Sequence, residues 1–359
     1  MNETVLMPLA PLDPRVWLSR RRASLPFPLR EDGCLLFSRG RHGLLHGLRG
    51  LGIGPGDEVL TPAYHHGSEV EALRRTGAST VFYDCGAGME PDAAALERLA
   101  GERTRALHLT HHLGFPQDAA RWRRWCDERG LALIEDAAQA WLARAGDRQA
   151  GAYGDVAIFS LYKTFGLPDG GALLCRAGAQ PPSAPCEAAA VRLGLEHAAW
   201  VAGRSRAAGA LASRLRRARR YDAAADRAIG TPRPPSHATL AALRRVADPA
   251  AVERRRGNYE LLLSRVGDLV AAPFDALSPG ACPLVLPIAA ADKPRLLSRL
   301  HATGIRALDL WSVPHPSLDQ RQVPRAAALR RTLIGLPVHQ ELRPRDLERI
   351  AAAVRSAVR

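Results

Sequence analysis

One acid and one lysine give the clearest chemical signal in this 359-residue chain. Residues 131–134 form an apolar run too short for a helix, and it leads into Glu135 and Asp136. A second run, residues 156–161, leads to Lys163. The carboxyl ends of buried strands in an α/β sheet are where such sheets bind ligands. An acid there can keep a ring nitrogen protonated, and a lysine can trap an aldehyde, which suits pyridoxal 5'-phosphate (PLP) held as a lysine Schiff base.

The residues around this pair form a set of motifs. The segment EDAAQA begins at Glu135, G-x-x-G-D begins at Gly151, and the lysine precedes DGGAL, which begins at Asp169. This set resembles that of the DegT/DnrJ/EryC1/StrS family of PLP-dependent sugar aminotransferases, from about Ser38 to the C-terminus and most strongly up to Cys175. The resemblance implies an α/β fold, that of the fold type I (aspartate aminotransferase-like) PLP-dependent transferases. That fold has a mostly parallel central sheet in a large domain and a smaller C-terminal α/β domain.

The resemblance also implies roles for four of these residues. Lys163 would form the Schiff base and, once displaced, move a proton between the amino donor and the cofactor. Asp136 would face the pyridine nitrogen, Gln139 would lie against the ring, and Ser160 would donate to the phosphate. Lys163 and Lys293 are the only lysines in the chain. The S-L-Y-K segment has two fewer residues between serine and lysine than typical members, so a shorter loop is predicted before the lysine.

Two further segments would complete the cofactor site. A short apolar run followed by glycine and a leucine-rich helical pattern is typical of an anion site at a helix N-terminus. In the family this stretch is S-G-T-A-A-L and its amides hold the phosphate; here Gly40 and Arg41 occupy the glycine and threonine places. Arg41 can pair with phosphate or be an exposed helix-start residue. The ring-stacking aromatic of the family aligns with His66, and Tyr64 is the alternative candidate.

Two loops would supply the substrate side of the site. The family pattern V-H-x-x-G matches residues 110–114, which gives His111 and His112 as substrate-side candidates. The loop WSVPHP gives Trp311 and His315. The histidines do not predict a metal site, because their segment is predicted as strand and loop and no acid or cysteine follows at ligand spacing.

The order of the predicted elements sets the architecture. Strand and helix patterns alternate from residue 34 onward, which favours a mostly parallel sheet. Residues 1–30 are rich in proline and arginine and are predicted to form an extended arm. We assign residues 31–236 to a large PLP-binding domain. A second alternation assigns residues 237–359 to a small C-terminal domain.

Composition limits the partners. The net charge of +14 comes from 50 Lys+Arg against 36 Asp+Glu. Solvated arginine surfaces are the favoured interpretation, and attraction to an anionic substrate such as a nucleotide-linked sugar is the alternative. No zinc finger, aromatic RNA-binding signature or basic zipper pattern is present, so we predict neither a nucleic-acid nor a membrane partner. No apolar run reaches transmembrane length and no signal-peptide core is found, so we expect a cytoplasmic protein. The six cysteines are scattered, as expected for reduced thiols.

These observations favour an enzyme. The first hypothesis is an aminotransferase that moves an amino group from glutamate or glutamine to a keto-sugar or another small ketone in a biosynthetic pathway. The resemblance also implies a homodimer, since such sites lie between subunits. One alternative is a different PLP reaction on the same scaffold, such as an aldol, elimination or decarboxylation step. Another is a non-catalytic regulator that retains the fold, against which the intact Lys163, Asp136 and Gln139 count.

Overall fold

Short apolar runs alternate with amphipathic segments along the chain, and they fold as alternating strands and helices. The computed structural model describes residues 5–12, 14–18, 24–182 and 222–358. The strands are β1 (Leu35–Phe37), β2 (Glu58–Pro62), β3 (Ser79–Tyr83), β4 (Thr104–Thr110), β5 (Ala132–Asp136), β6 (Arg144–Ala145), β7 (Arg148–Gln149), β8 (Val156–Ser160), β9 (Gly171–Cys175), β10 (Val285–Ala289), β11 (Leu308–Asp309) and β12 (Leu333–Pro337). The α-helices are α1 (Gly40–Gly50), α2 (Ser68–Thr76), α3 (Ala93–Leu99), α4 (Ala119–Asp127), α5 (Leu161–Thr164), α6 (Ala223–Arg227), α7 (His237–Val246), α8 (Ala251–Val266), α9 (Lys293–Ala302), α10 (Pro324–Thr332) and α11 (Pro344–Val358).

The larger sheet has the strand order β1-β9-β8-β5-β4-β2-β3. Its central pairs, from β3 through β2, β4 and β5 to β8, are all parallel, and β9 pairs antiparallel with both β8 and β1. The prediction of an α/β fold with a mostly parallel central sheet is therefore confirmed. Because parallel strands end at the same edge, the polar residues that follow β2, β4, β5 and β8 are brought together there.

The smaller sheet is antiparallel, in the order β10-β12-β11. The apolar core beneath it continues into the larger sheet, since Tyr64 and Leu113 belong to the same buried cluster as Val285 and Leu336. The domain division at residues 236 and 237 stays a prediction, because this core crosses it.

Some elements of the structure are not predicted from the sequence. The β6–β7 hairpin and helix α10 have no counterpart in the sequence interpretation. Ile305 forms a bridge with Leu6, which lies within the segment predicted as an extended arm, and the two-residue β11 follows. Within residues 5–358, as far as they are described, no helix is both long and apolar enough to cross a membrane.

Candidate active site

A cavity of about 360 Å³ lies at the carboxyl edge of the larger sheet. One wall carries a residue from beyond each of four strands: His66 after β2, Leu113 after β4, Gln139 after β5 and Lys163 after β8. Residues 308–313, which begin with β11, form the opposite wall. The volume lies within the range of about 300–1,000 Å³ that small-molecule sites occupy. The cavity is therefore a candidate ligand site.

Lys163 is the lysine on this cavity. It lies in the one-turn helix α5, directly after β8, and is half-buried. Lys293 has a different environment, because its ammonium is buried and lies 2.6 Å from the Asp309 carboxylate and 2.9 Å from the Arg330 carbonyl oxygen. Lys163 is thus the amine that a ligand in the cavity can reach.

The two acids at the end of β5 point to opposite faces of the sheet, as strand alternation requires. Glu135 is fully buried, and its carboxylate accepts hydrogen bonds from the amides of Gly151, Tyr153 and Gly154 at 2.6–3.0 Å. Its fourth partner is the His111 ring, Nε2 to Oε1, at 3.0 Å. The EDAAQA and G-x-x-G-D motifs are therefore joined by a structural carboxylate on the face away from the cavity.

Asp136 is buried on the other face. One carboxylate oxygen accepts a hydrogen bond from the Ala138 amide at 2.8 Å, and the other lies 3.6 Å from His108 Nε2. Three residues later, the Gln139 side chain reaches the cavity wall and accepts a hydrogen bond from the Leu113 amide at 2.9 Å. Asp136 therefore lies at the strand end from which the cavity wall continues.

The N-terminus of α1 packs tightly against the end of β8. A Cβ added at Gly40 would lie 3.4 Å from Ser160 Oγ, and one added at Gly171 would lie 2.4 Å from the Gly40 nitrogen. The N-cap residue, Arg39, makes no side-chain cap hydrogen bond. The N-terminus of α1 thus adjoins the Ser160 hydroxyl. The His42 amide donates to the Arg39 carbonyl oxygen at 3.1 Å, so the amides that precede it in the first turn and this hydroxyl are the donors suited to an anion.

Tyr162, which the sequence interpretation did not single out, also lines the cavity. The Arg39 guanidinium lies 4.7 Å from the centre of its ring. Burial opposes ionisation of this phenol, but Lys163, Arg39, Arg41 and a hydrogen bond with Ser160 lower the pKa of Tyr162 to about 8. The sequence feature that indicates Tyr162 as a site residue is its place between Ser160 and Lys163 in the S-L-Y-K segment.

The two ring-stacking candidates occupy different places. His66 lines the cavity, and its Nε2 lies 2.9 Å from the Asp226 carboxylate. Tyr64 is fully buried, its hydroxyl donates to the Leu310 carbonyl oxygen at 3.3 Å, and its ring packs 4.8 Å from that of Trp311. His66 is therefore the candidate on the cavity wall, and Tyr64 supports the opposite wall from behind.

The remaining candidates divide into cavity residues and supporting residues. Trp311 lines the cavity with a positive φ of 58°, and residues with bulky side chains rarely adopt that backbone conformation. Arg41 instead donates to the carbonyl oxygens of Asp226 and Ala228. His315 Nε2 lies 3.1 Å from the Glu71 carboxylate.

Neither histidine of the V-H-x-x-G match lies on the cavity wall. His111 is fully buried with both ring nitrogens engaged, since Nδ1 accepts from the Gln117 amide at 2.9 Å and Nε2 bonds to Glu135. His112 packs behind Trp311, at 6.2 Å between ring centres, and its Nδ1 has no hydrogen-bond partner among the described residues. Burial, opposed by the charge of Asp136, lowers the pKa of His112 to about 4.

Comparison with known proteins finds a family model that matches the part of the chain carrying Lys163. Residues 29–184 match the model of the DegT/DnrJ/EryC1/StrS aminotransferase family. Over 153 aligned residues the chain is 39% identical to the dTDP-3-amino-3,4,6-trideoxy-alpha-D-glucose transaminase of Streptomyces venezuelae. The aligned segment covers 40% of this chain and 39% of that protein. The chain thus spans about two fifths of the length of the curated relatives it matches.

Solved structures match along nearly the whole chain. The S. venezuelae protein DesV, in complex with a ketimine intermediate, superposes with a TM-score of 0.67 at 28% identity and covers 96% of this chain and 93% of its own. A putative sugar aminotransferase from Streptococcus pneumoniae, in its PLP-form, superposes with a TM-score of 0.69. At 18% identity over 98% of both chains, it shows the shared fold alone.

Proposed function

We propose that the chain belongs to the DegT/DnrJ/EryC1/StrS aminotransferase family, whose model it matches over residues 29–184, and that it is a PLP-dependent aminotransferase acting on a keto-sugar. One observation carries the proposal: two neighbouring parallel strands deliver Lys163 and Gln139 to one cavity, and the buried Asp136 ends the strand before Gln139. The names of the relatives, which are transaminases of nucleotide-linked sugars, support a substrate of this class.

The residues around the cavity fit PLP. The first-turn amides of α1 and the Ser160 hydroxyl would cradle the phosphate, and Gly40 and Gly171 permit the close packing that brings these donors together. The Asp136 carboxylate is suited to hold a proton on the ring nitrogen, and His66, which lines the cavity, would cover one ring face. When bound, PLP supplies an electron sink that stabilises negative charge at the carbon of the amino donor.

The protein's own groups would then bind, orient and move protons. Lys163 Nζ would hold the cofactor by condensing with its aldehyde, with loss of water, and when displaced would carry a proton to and from the amino donor. The Gln139 side-chain oxygen accepts from the Leu113 amide, which fixes its orientation at the cavity wall, and this side chain would lie against the ring. Residues 308–313 would form the wall for the acceptor, with the Trp311 ring as its largest apolar surface. The identity of the donor, glutamate or glutamine, remains part of the proposal.

Two expectations about the protein's context belong to this proposal. These are a homodimer, which the resemblance to the family implies because its sites lie between subunits, and a cytoplasmic location. Sedimentation analysis with and without PLP tests the first. A monomer with full activity would contradict it.

The decisive experiment is chemical. Purified protein incubated with PLP is reduced with borohydride, and the labelled peptide is identified by mass spectrometry. We expect the label on Lys163, none on Lys293, and none in Lys163→Ala. Glutamate added to unreduced protein should then change the absorption of the bound cofactor, and a keto-sugar nucleotide should reverse that change. A wild-type protein that binds no PLP would refute the function, and binding without response to any amino donor would favour another PLP reaction.

A further inference from the structure

A second cation lies next to the lysine turn, and it has no part in the site described so far. Arg255, on α8, is 1% exposed. Its guanidinium donates from Nε to Gln340 Oε1 at 2.8 Å, from Nη1 to the Pro283 carbonyl oxygen at 2.9 Å and from Nη2 to the Thr164 carbonyl oxygen at 2.7 Å. All three of these acceptors are neutral. Burial lowers the pKa of Arg255, as expected for a cation removed from water.

The Thr164 carbonyl belongs to the residue directly after Lys163, in the peptide that joins Thr164 to Phe165. It also accepts a hydrogen bond from Gln340 Nε2 at 3.1 Å. Helix α5 has four residues, and a single turn of helix is not stable by itself. The position of the lysine backbone therefore depends on contacts from outside the turn, and Arg255 and Gln340 supply two of them at one carbonyl oxygen.

The same guanidinium also contacts a second segment beside the cavity. Pro283, whose carbonyl it binds, immediately precedes Leu284, which lines the cavity and whose amide donates to the Leu113 carbonyl oxygen at 2.9 Å. One rigid, planar group thus links the lysine turn to this second segment. Removing the guanidinium would free both segments to shift relative to each other.

We propose that Arg255, assisted by Gln340, is a positioning residue that sets the place and direction of Lys163. The inference rests on the proposed function, because it assumes that Lys163 binds the cofactor. A buried cation whose three hydrogen-bond acceptors are all neutral is unfavourable for stability. Holding the short lysine turn against the segments of Pro283 and Gln340 would account for its presence here.

The neighbouring Arg256 provides a matched control. Its Nη1 donates to the carbonyl oxygens of Ser278, Pro279 and Ala281 at 2.9–3.2 Å, so it makes bonds of the same kind on the same helix without contact to the lysine turn. The experiment compares Arg255→Met, Arg255→Lys and Arg256→Met. Two quantities are measured: the rate at which added PLP becomes fixed to Lys163 by borohydride, and the induced circular dichroism of the cofactor band, which reports its orientation.

Because misplacement by about 1 Å lowers a reaction rate about 100-fold, we expect about 100-fold slower labelling of Lys163 in Arg255→Met. The induced dichroism should weaken in parallel. Arg255→Lys, which retains a donor, should lie between this variant and the wild type, and Arg256→Met should stay within about twofold of the wild type. Labelling of Arg255→Met at the rate of Arg256→Met would overturn the inference.

Two outcomes need separate treatment. If Arg255→Met does not fold, as judged by its far-ultraviolet dichroism, Gln340→Met decides, since it removes the second donor to Thr164 and the acceptor of Arg255 Nε while leaving the guanidinium in place. Slower labelling in that variant supports the inference, and unchanged labelling overturns it. If the wild type itself is not labelled at Lys163, the proposed function fails first, and the inference fails with it.

Discussion

The adjacent acids Glu135 and Asp136 should respond in opposite ways to loss of charge. Glu135→Gln replaces one carboxylate oxygen with an amide nitrogen, and each oxygen serves two donors: His111 and Gly151 on Oε1, Tyr153 and Gly154 on Oε2. Two buried donors therefore lose their acceptor. At about 1.5–3 kcal/mol for each bond to a charged group, the free energy of unfolding should fall by about 3–6 kcal/mol.

Asp136→Asn should leave stability nearly unchanged. An asparagine oxygen can still accept the bond from the Ala138 amide, so we expect a change within about 1 kcal/mol. The binding and reactivity of the cofactor should decrease instead, because a neutral amide does not hold a proton on the ring nitrogen. Retention of PLP and its response to glutamate should both decrease.

Urea unfolding of both variants, without added cofactor, measures the difference. A shift of the midpoint with an unchanged m-value reports a change in stability alone. A free energy of unfolding for Glu135→Gln within about 1 kcal/mol of the wild-type value would refute the assignment of four hydrogen bonds to this carboxylate, because by the same bond energies that margin is about a third of the smallest expected loss. Equal destabilisation by the two substitutions would refute the division of roles.

The remaining predictions concern pH, the anion cradle and the second lysine. Burial lowers the pKa of His65 to about 3 and those of His42 and His112 to about 4, so above pH 5 these three histidines take up protons only on unfolding. Stability present above about pH 6.5 should therefore fall by roughly 5–6 kcal/mol between about pH 7 and pH 5, about 2 kcal/mol for each histidine, and a flat profile in thermal or urea unfolding would contradict this. Gly171→Ala places a methyl group against the first amide of α1 and should weaken PLP binding about tenfold, as measured by titration. Gly101→Ala is the control, because its added Cβ has no atom within 4 Å and PLP binding should stay unchanged. Lys293→Met should lower stability by about 1–3 kcal/mol in urea unfolding yet leave borohydride labelling intact, and loss of the label would show that the wrong lysine was chosen.

Much of the fold could be predicted from the sequence because its signals are local. The apolar runs before Asp136 and Lys163 are short and flanked by turn residues, which distinguishes buried strands from helices. They appear as β5 and β8, and the register confirms that the two strands are parallel neighbours. The placement of both residues at strand ends follows from that order. Helix α10 cannot be predicted from periodicity, because its segment is rich in alanine and arginine and has no clear apolar face.

The details of the site depended on contacts between distant segments. The sequence presents two adjacent acids, and only the loop of residues 151–154 decides that Glu135 is structural. The sequence offers both His66 and Tyr64 as candidates for stacking on the cofactor ring. Only the packing of Tyr64 against Trp311 places Tyr64 behind the cavity wall. No local pattern indicates that Arg255 binds the carbonyl beside the lysine from 91 residues away.

The chain's own order of apolar and polar residues thus determined the strands, their direction and the strand ends at which an amine and a carboxylate emerge. Only the tertiary structure decided which of the neighbouring polar groups face the cavity and which hold the sheet together. The physical reason is that a strand or helix is selected by periodicity within a few residues, whereas the role of a buried polar side chain is set by the partner that satisfies it, and that partner comes from elsewhere in the chain.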